Sequence, residues 1–104
     1  KTAAAARTNL GIAATSLYNG TLTSGSITFN YGNYNFYVII GRPSSTASRT
    51  SLVVPRILLT TSAVSFQIAD ESNYKAFNLS YSGSTVTLAM GNGAGQINRV
   101  FGIN

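Results

Sequence analysis

The sequence predicts an all-β domain, an antiparallel β-sandwich or flattened barrel of about seven to eight short strands. Three observations lead there. Apolar and polar residues alternate with period two over residues 26–31, 63–68, 75–81 and 85–90. Clusters of Gly, Ser, Asn and Asp, which turn a chain readily, separate these runs. After Gly11 no stretch of useful length carries the period of ~3.6 residues that an amphipathic helix needs.

At 104 residues the chain is one domain with a small core. Hydrophobic residues make up 44 % and charged residues only 9 %, so the surface is covered by Ser, Thr, Asn and Gly or is buried against other chains. Cysteine is absent, which excludes disulfides and thiolate metal sites and leaves the compartment unreadable from redox chemistry. The net charge of +5 reflects a shortage of acids. Lys1, Arg7, Arg42, Arg49, Arg56, Lys75 and Arg99 are scattered, where a nucleic-acid surface would cluster them, and they read as solvated strand ends. No apolar run approaches the ~20 residues of a membrane span. Lys1-Thr2-Ala3 is unlike an initiator end, so the sequence reads as a piece of a longer chain.

The elements follow in order. Residues 2–7 are alanine-rich and favour a short helix, with Gly11 as its stop, and residues 1–16 read as a connector to a β domain over 17–104. A weak first strand over 17–23 turns at Ser24-Gly25. The next strand puts Ile27, Phe29 and Tyr31 on one face. Residues 34–40 are apolar on both faces: Tyr34, Phe36, Val38 and Ile40 on one, Tyr37 and Ile39 on the other. One face can meet the core, and the other needs a second layer or subunit. A Ser/Thr-rich loop follows from Pro43. Residues 51–60 form another strand, which Pro55 confines to a sheet edge or a bulge. Val64, Phe66 and Ile68 face inward, then Phe77, Leu79 and Tyr81, then Val86, Leu88 and Met90. Residues 92–95 are glycine-rich and read as the reversal of a C-terminal β-hairpin, with Ile97, Phe101 and Ile103 on one side of its last strand.

Catalytic chemistry is poorly supplied. There is no His or Cys, and the two acids, Asp70 and Glu71, are adjacent. Neighbours in sequence cannot readily face each other across a glycosidic bond at ~5–10 Å. No phosphate loop is present, since the 91–95 glycines lie between strands rather than at a helix start. The expectation is therefore a binding protein, with no enzyme activity and no cofactor or metal. Its binding chemistry is aromatic, amide and guanidinium groups on turns. The candidate turns are 31–34, 42–49, 70–74 and 92–95, and the candidate residues Tyr31, Asn33, Tyr34, Arg42, Arg49, Asn73, Tyr74 and Asn92. Tyr37 and Tyr81 read as core.

Ala3-Ala4-Ala5-Ala6-Arg7-Thr8-Asn9-Leu10-Gly11-Ile12 resembles a segment repeated through the side tail fibres of tailed bacteriophages. The closing Gly95-Gln96-Ile97-Asn98-Arg99-Val100-Phe101-Gly102-Ile103-Asn104 is similar to the ending of many fibre tip domains. The resemblance covers the two ends and leaves the middle unmatched. It implies a homotrimer on a virion, with a shaft on the N-terminal side and a tip that attaches to a bacterial surface. Lipopolysaccharide or an outer-membrane protein would be the receptor; the scattered cations and the absence of a long apolar run separately argue against nucleic acid and membrane insertion. Two rivals are a purely structural trimeric cap and a single-stranded nucleic-acid-binding barrel.

Overall fold

The computed structural model describes residues 14–32 and 34–104. Their strands are β1 (Ala14–Leu22), β2 (Ser26–Asn30), β3 (Phe36–Arg42), β4 (Thr50–Pro55), β5 (Val64–Ala69), β6 (Tyr74–Ser82), β7 (Thr85–Gly93) and β8 (Gln96–Ile103). They form two antiparallel sheets, β1-β8-β3-β4 and β2-β7-β6-β5. Both sheets contribute inward side chains to one core: Tyr37, Ile39 and Val100 from the first, Leu79, Val86 and Leu88 from the second. This is the β-sandwich alternative. The alanine-rich helix lies outside the described residues, and Ala14 to Ser16, assigned to the connector, open β1.

Alternation produces the sandwich directly. In β6, Phe77 and Leu79 are buried while Ala76, Asn78 and Ser80 face outward. In β7, Val86 and Leu88 are fully buried. In β5, an edge strand, Ile68 is buried but Val64 and Phe66 are only partly covered. Pro55 closes β4, which is an edge strand as its missing N–H requires. The strand expected to continue to Thr60 instead coils into a 3-10 turn over Arg56–Leu58.

Two expectations are corrected. The C-terminal hairpin does not form. β7 pairs with β2 and β6, whereas β8 pairs with β1 and β3, so the chain crosses between sheets at residues 94–95. Gly93 makes the corner at φ 120°, against the Tyr74 carbonyl, and Gly95 passes under the Arg42 carbonyl. A hairpin and a crossing both place Leu88 and Ile97 on one core, so alternation cannot tell them apart. The faces of β8 also differ from expectation. Ile97 and Val100 point inward, and Phe101 and Ile103 point outward. A register shift opposite Ile40–Gly41 inserts one residue and flips the strand beyond it.

The two outer faces are unlike. On the first sheet Val38 lies between Phe101 and Val53, and Phe36 between Ile103 and Pro55. Phe36 is 42 % exposed and Val53 57 %. The Arg99 guanidinium lies over the Phe101 ring at 4.5 Å. On the second sheet the outward residues are mostly small or polar, among them Ser26, Thr28, Ser65, Gln67, Ala76, Asn78 and Thr87, with the exposed Tyr74 at the far end.

Tyr37 ties the sheets together at one end. It is fully buried, packs against Phe29 with ring centroids 5.7 Å apart, and its hydroxyl donates to the Tyr31 carbonyl at 2.7 Å. Burial, helped by the nearby Tyr31, pushes its pKa from 10.0 up to about 12. The folded chain thus holds this proton more tightly than the unfolded chain. That contribution is complete below the unfolded value near 10 and disappears as pH rises towards 12. The loss across this window is on the order of 1–3 kcal/mol. Tyr37→Phe is expected to lose correspondingly less over the same range in denaturant melts. Parallel pH profiles for parent and variant would refute it.

Candidate functional site

Strand register decides which turns share an end. Ala14 pairs with Ile103, Ile103 with Phe36, and Phe36 with Pro55, which defines the near end of the first sheet. Leu22, Ile97, Gly41 and Thr50 mark its far end. In the second sheet, Tyr31 N–H donates to Ser84 O at 2.7 Å at the near end. At the far end, Gly95 N–H donates to Tyr74 O at 3.3 Å and bridges the two sheets.

Three of the four candidate turns, 42–49, 70–74 and 92–95, therefore gather at the far end. They bring Arg42, Arg49, Asn73, Tyr74 and Asn92 to one side of the molecule. Contacts fix this grouping, because the 93–95 crossing touches the Arg42 carbonyl, Pro43, Tyr74 and Lys75. The fourth turn is at the opposite end, and Asn33 lies outside the described residues. Tyr31 stacks on Tyr81 at 4.8 Å with the Arg56 guanidinium 5.5 Å from its ring. Tyr34 is partly buried, and its ring covers the space where a Gly102 Cβ would be, at 2.6 Å. Both tyrosines therefore help close the near end of the core.

The far turns are shaped by their own polar groups. Asp70 Oδ1 accepts from the N–H groups of Ser72 at 2.9 Å and Asn73 at 2.7 Å. These backbone bonds, Ser72 foremost, hold the exposed carboxyl below the usual carboxylate range. Asp70 is thereby committed to its turn. Arg42 Nη1 donates to Ser45 O at 3.1 Å and braces the 43–49 loop. Lys75, expected among the solvated basic residues, is instead 5 % exposed, and its ammonium donates to Gly93 O at 3.1 Å. The even-numbered outward set of β6 leaves Lys75 on the core face, so the stem lines the core's far end and the head reaches the crossing. Tyr74, beside it, is 41 % exposed, and Arg49 and Asn92 are exposed.

Two concavities accompany these ends. The near-end cleft, about 490 Å³, is lined by Tyr31, Phe36, Arg56, Ile57 and Tyr81. It shares Phe36 with the apolar outer face, and Ile57 beside it is 88 % exposed. A shallower groove of about 350 Å³ lies on the second sheet towards the far end, between Gln67, Asn78, Tyr74 and Asn92. Gln67 and Asn78 were not among the candidates. Period-two reading marks them only as outward strand residues, and the missing signal is that the outward set around them lacks charge and, apart from Tyr74 at its far end, large apolar groups. No family model, curated protein or solved structure matches the chain.

Proposed function

We propose that this domain is the receptor-binding tip of a phage tail fibre, a homotrimer that attaches a virion to lipopolysaccharide or an outer-membrane protein through its far-end turns. The observation that carries the reading is the gathering of Arg42, Arg49, Asn73, Tyr74 and Asn92 at the end opposite Ala14. A shaft joined through β1 would leave that end foremost. Loops there can vary without disturbing the strands that hold them. The Phe36, Val38, Phe101 and Val53 face, which no described residue covers, supports assembly, because identical chains bury such faces around a closed axis. In this reading the domain binds and does not cleave.

The test is alanine substitution of each turn, with trimer formation checked and adsorption to host cells measured. Variants of 42–49, 70–74 or 92–95 are expected to lose most adsorption, and Tyr31→Ala to act through stability instead. If every far-end variant adsorbs like the parent, the domain is a structural cap and the reading falls.

A further inference from the structure

We propose that the groove on the outer face of the second sheet is a binding site for a neutral sugar, with Gln67, Asn78 and Asn92 as hydrogen-bonding walls and Tyr74 as the stacking surface. The proposal deepens the adsorption reading and rests on it for the source of the sugar, a glycan of the host surface. The chemistry of the groove is argued from its own residues.

Its shape comes from two small residues side by side. Ala76 and Gly91 occupy adjacent strands, and a Cβ on Gly91 would lie 3.3 Å from the Ala76 carbonyl oxygen and 3.5 Å from its Cβ. Longer side chains flank this floor: Gln67 on β5, Asn78 further along β6, and Tyr74 and Asn92 towards the far end. The resulting volume of about 350 Å³ falls in the lower part of the ~300–1,000 Å³ range of small-molecule sites. That suits a mono- or disaccharide lying along the sheet.

The lining selects the ligand class. Each carboxamide offers donors and an acceptor a short distance apart, matching vicinal hydroxyls that both give and take hydrogen bonds. Among the described residues, no hydrogen bond engages the Gln67, Asn78 or Asn92 side chains. Tyr74 supplies an exposed aromatic ring at the rim, the kind of group that stacks on the C–H face of a pyranose. None of the lining residues carries a charge at neutral pH. Lys75, the nearest cation along β6, points into the core towards Gly93. Phosphate, carboxylate and nucleic acid find no counter-charge here, and a hydrophobic ligand finds amide walls. A neutral polyhydroxyl compound is the class that matches the carboxamides, Ser65 and the Tyr74 ring together.

The experiment is an amide NMR titration of the full chain in its native assembly. The probes are D-galactose, D-glucose, N-acetyl-D-glucosamine, lactose and maltose, with inorganic phosphate as the contrasting anion. At least one sugar is expected to shift the Gln67, Ala76, Asn78 and Gly91 resonances saturably, and phosphate to leave them unmoved. Tyr74→Ala should weaken that binding about tenfold or more, while Tyr74→Phe, which keeps the ring, stays near the parent. Silence of these amides towards every sugar overturns the proposal, as do shifts confined to the 42–49 turn or produced equally by phosphate. The two readings separate cleanly. Sugar shifts in the groove, with adsorption unaffected by any far-end variant or by Tyr74→Ala, keep the groove and sink the adsorption role. Adsorption lost in turn variants, with a silent groove, does the reverse.

Discussion

Phe77→Ala is expected to remove about 3–5 kcal/mol of folding free energy. Phe77 is 2 % exposed, lies on β6 between β5 and β7, and stacks on Phe66 with ring centroids 5.7 Å apart. Strands on both flanks restrict the backbone from collapsing into the space the ring leaves, so the cavity contribution adds to the lost transfer energy. Domains of this size hold about 5–15 kcal/mol in total, so the variant should be close to unfolding at 37 °C. Phe66→Ala is the control. It lies on edge strand β5 and is only partly buried, so about 1–2 kcal/mol is expected. Urea melts at one fixed protomer concentration compare the two, because assembly shifts apparent stability by mass action. A loss below about 1 kcal/mol for Phe77→Ala would show that β6 does not face the core as described.

Val38→Glu is expected to break the oligomer and spare the fold. Val38 is at the centre of the outer apolar face, paired with Phe101 on one side and Val53 on the other. In an isolated chain a glutamate there reaches water. In a trimer closed over this face, each copy would bury an unpaired carboxylate at several kcal/mol. Sedimentation should show the parent as a trimer and the variant as a monomer at micromolar concentration, with unchanged far-UV circular dichroism. A monomeric parent, or a variant that remains trimeric, would remove this face from the assembly.

Much of the scaffold was legible because burial follows period two. Phe77, Leu79, Val86 and Leu88 were readable as core, and Pro55 as an edge marker. Pairing partners were not legible. The glycines of 93–95 permit a hairpin or a crossing equally, and the choice depends on whether β8 finds better neighbours in β1 and β3 than in β7. The register shift that turns Phe101 and Ile103 outward leaves no compositional mark. Lys75 sits on the inward side of β6, where its charge points to solvent but its position points to the core, and position prevails. For the site, turn chemistry exposed Arg42, Asn73, Tyr74 and Asn92, but the grouping of turns by end follows from topology. Gln67 and Asn78 become meaningful only once Ala76 and Gly91 are known to be neighbours.

The placement of β1 has a mechanical consequence. Among the described residues it is an edge strand held laterally by β8 alone, and it runs from the near end at Ala14 to the far end at Leu22. Consider a pull on Ala14 while the far-end turns are anchored. The force then runs along the β1–β8 ladder in shear, the rungs share it, and they must rupture together. A pull between Ala14 and its partner Ile103 concentrates the same force on the first rung and peels the strands apart in sequence. One ladder is thus tough along its axis and weak at its open end.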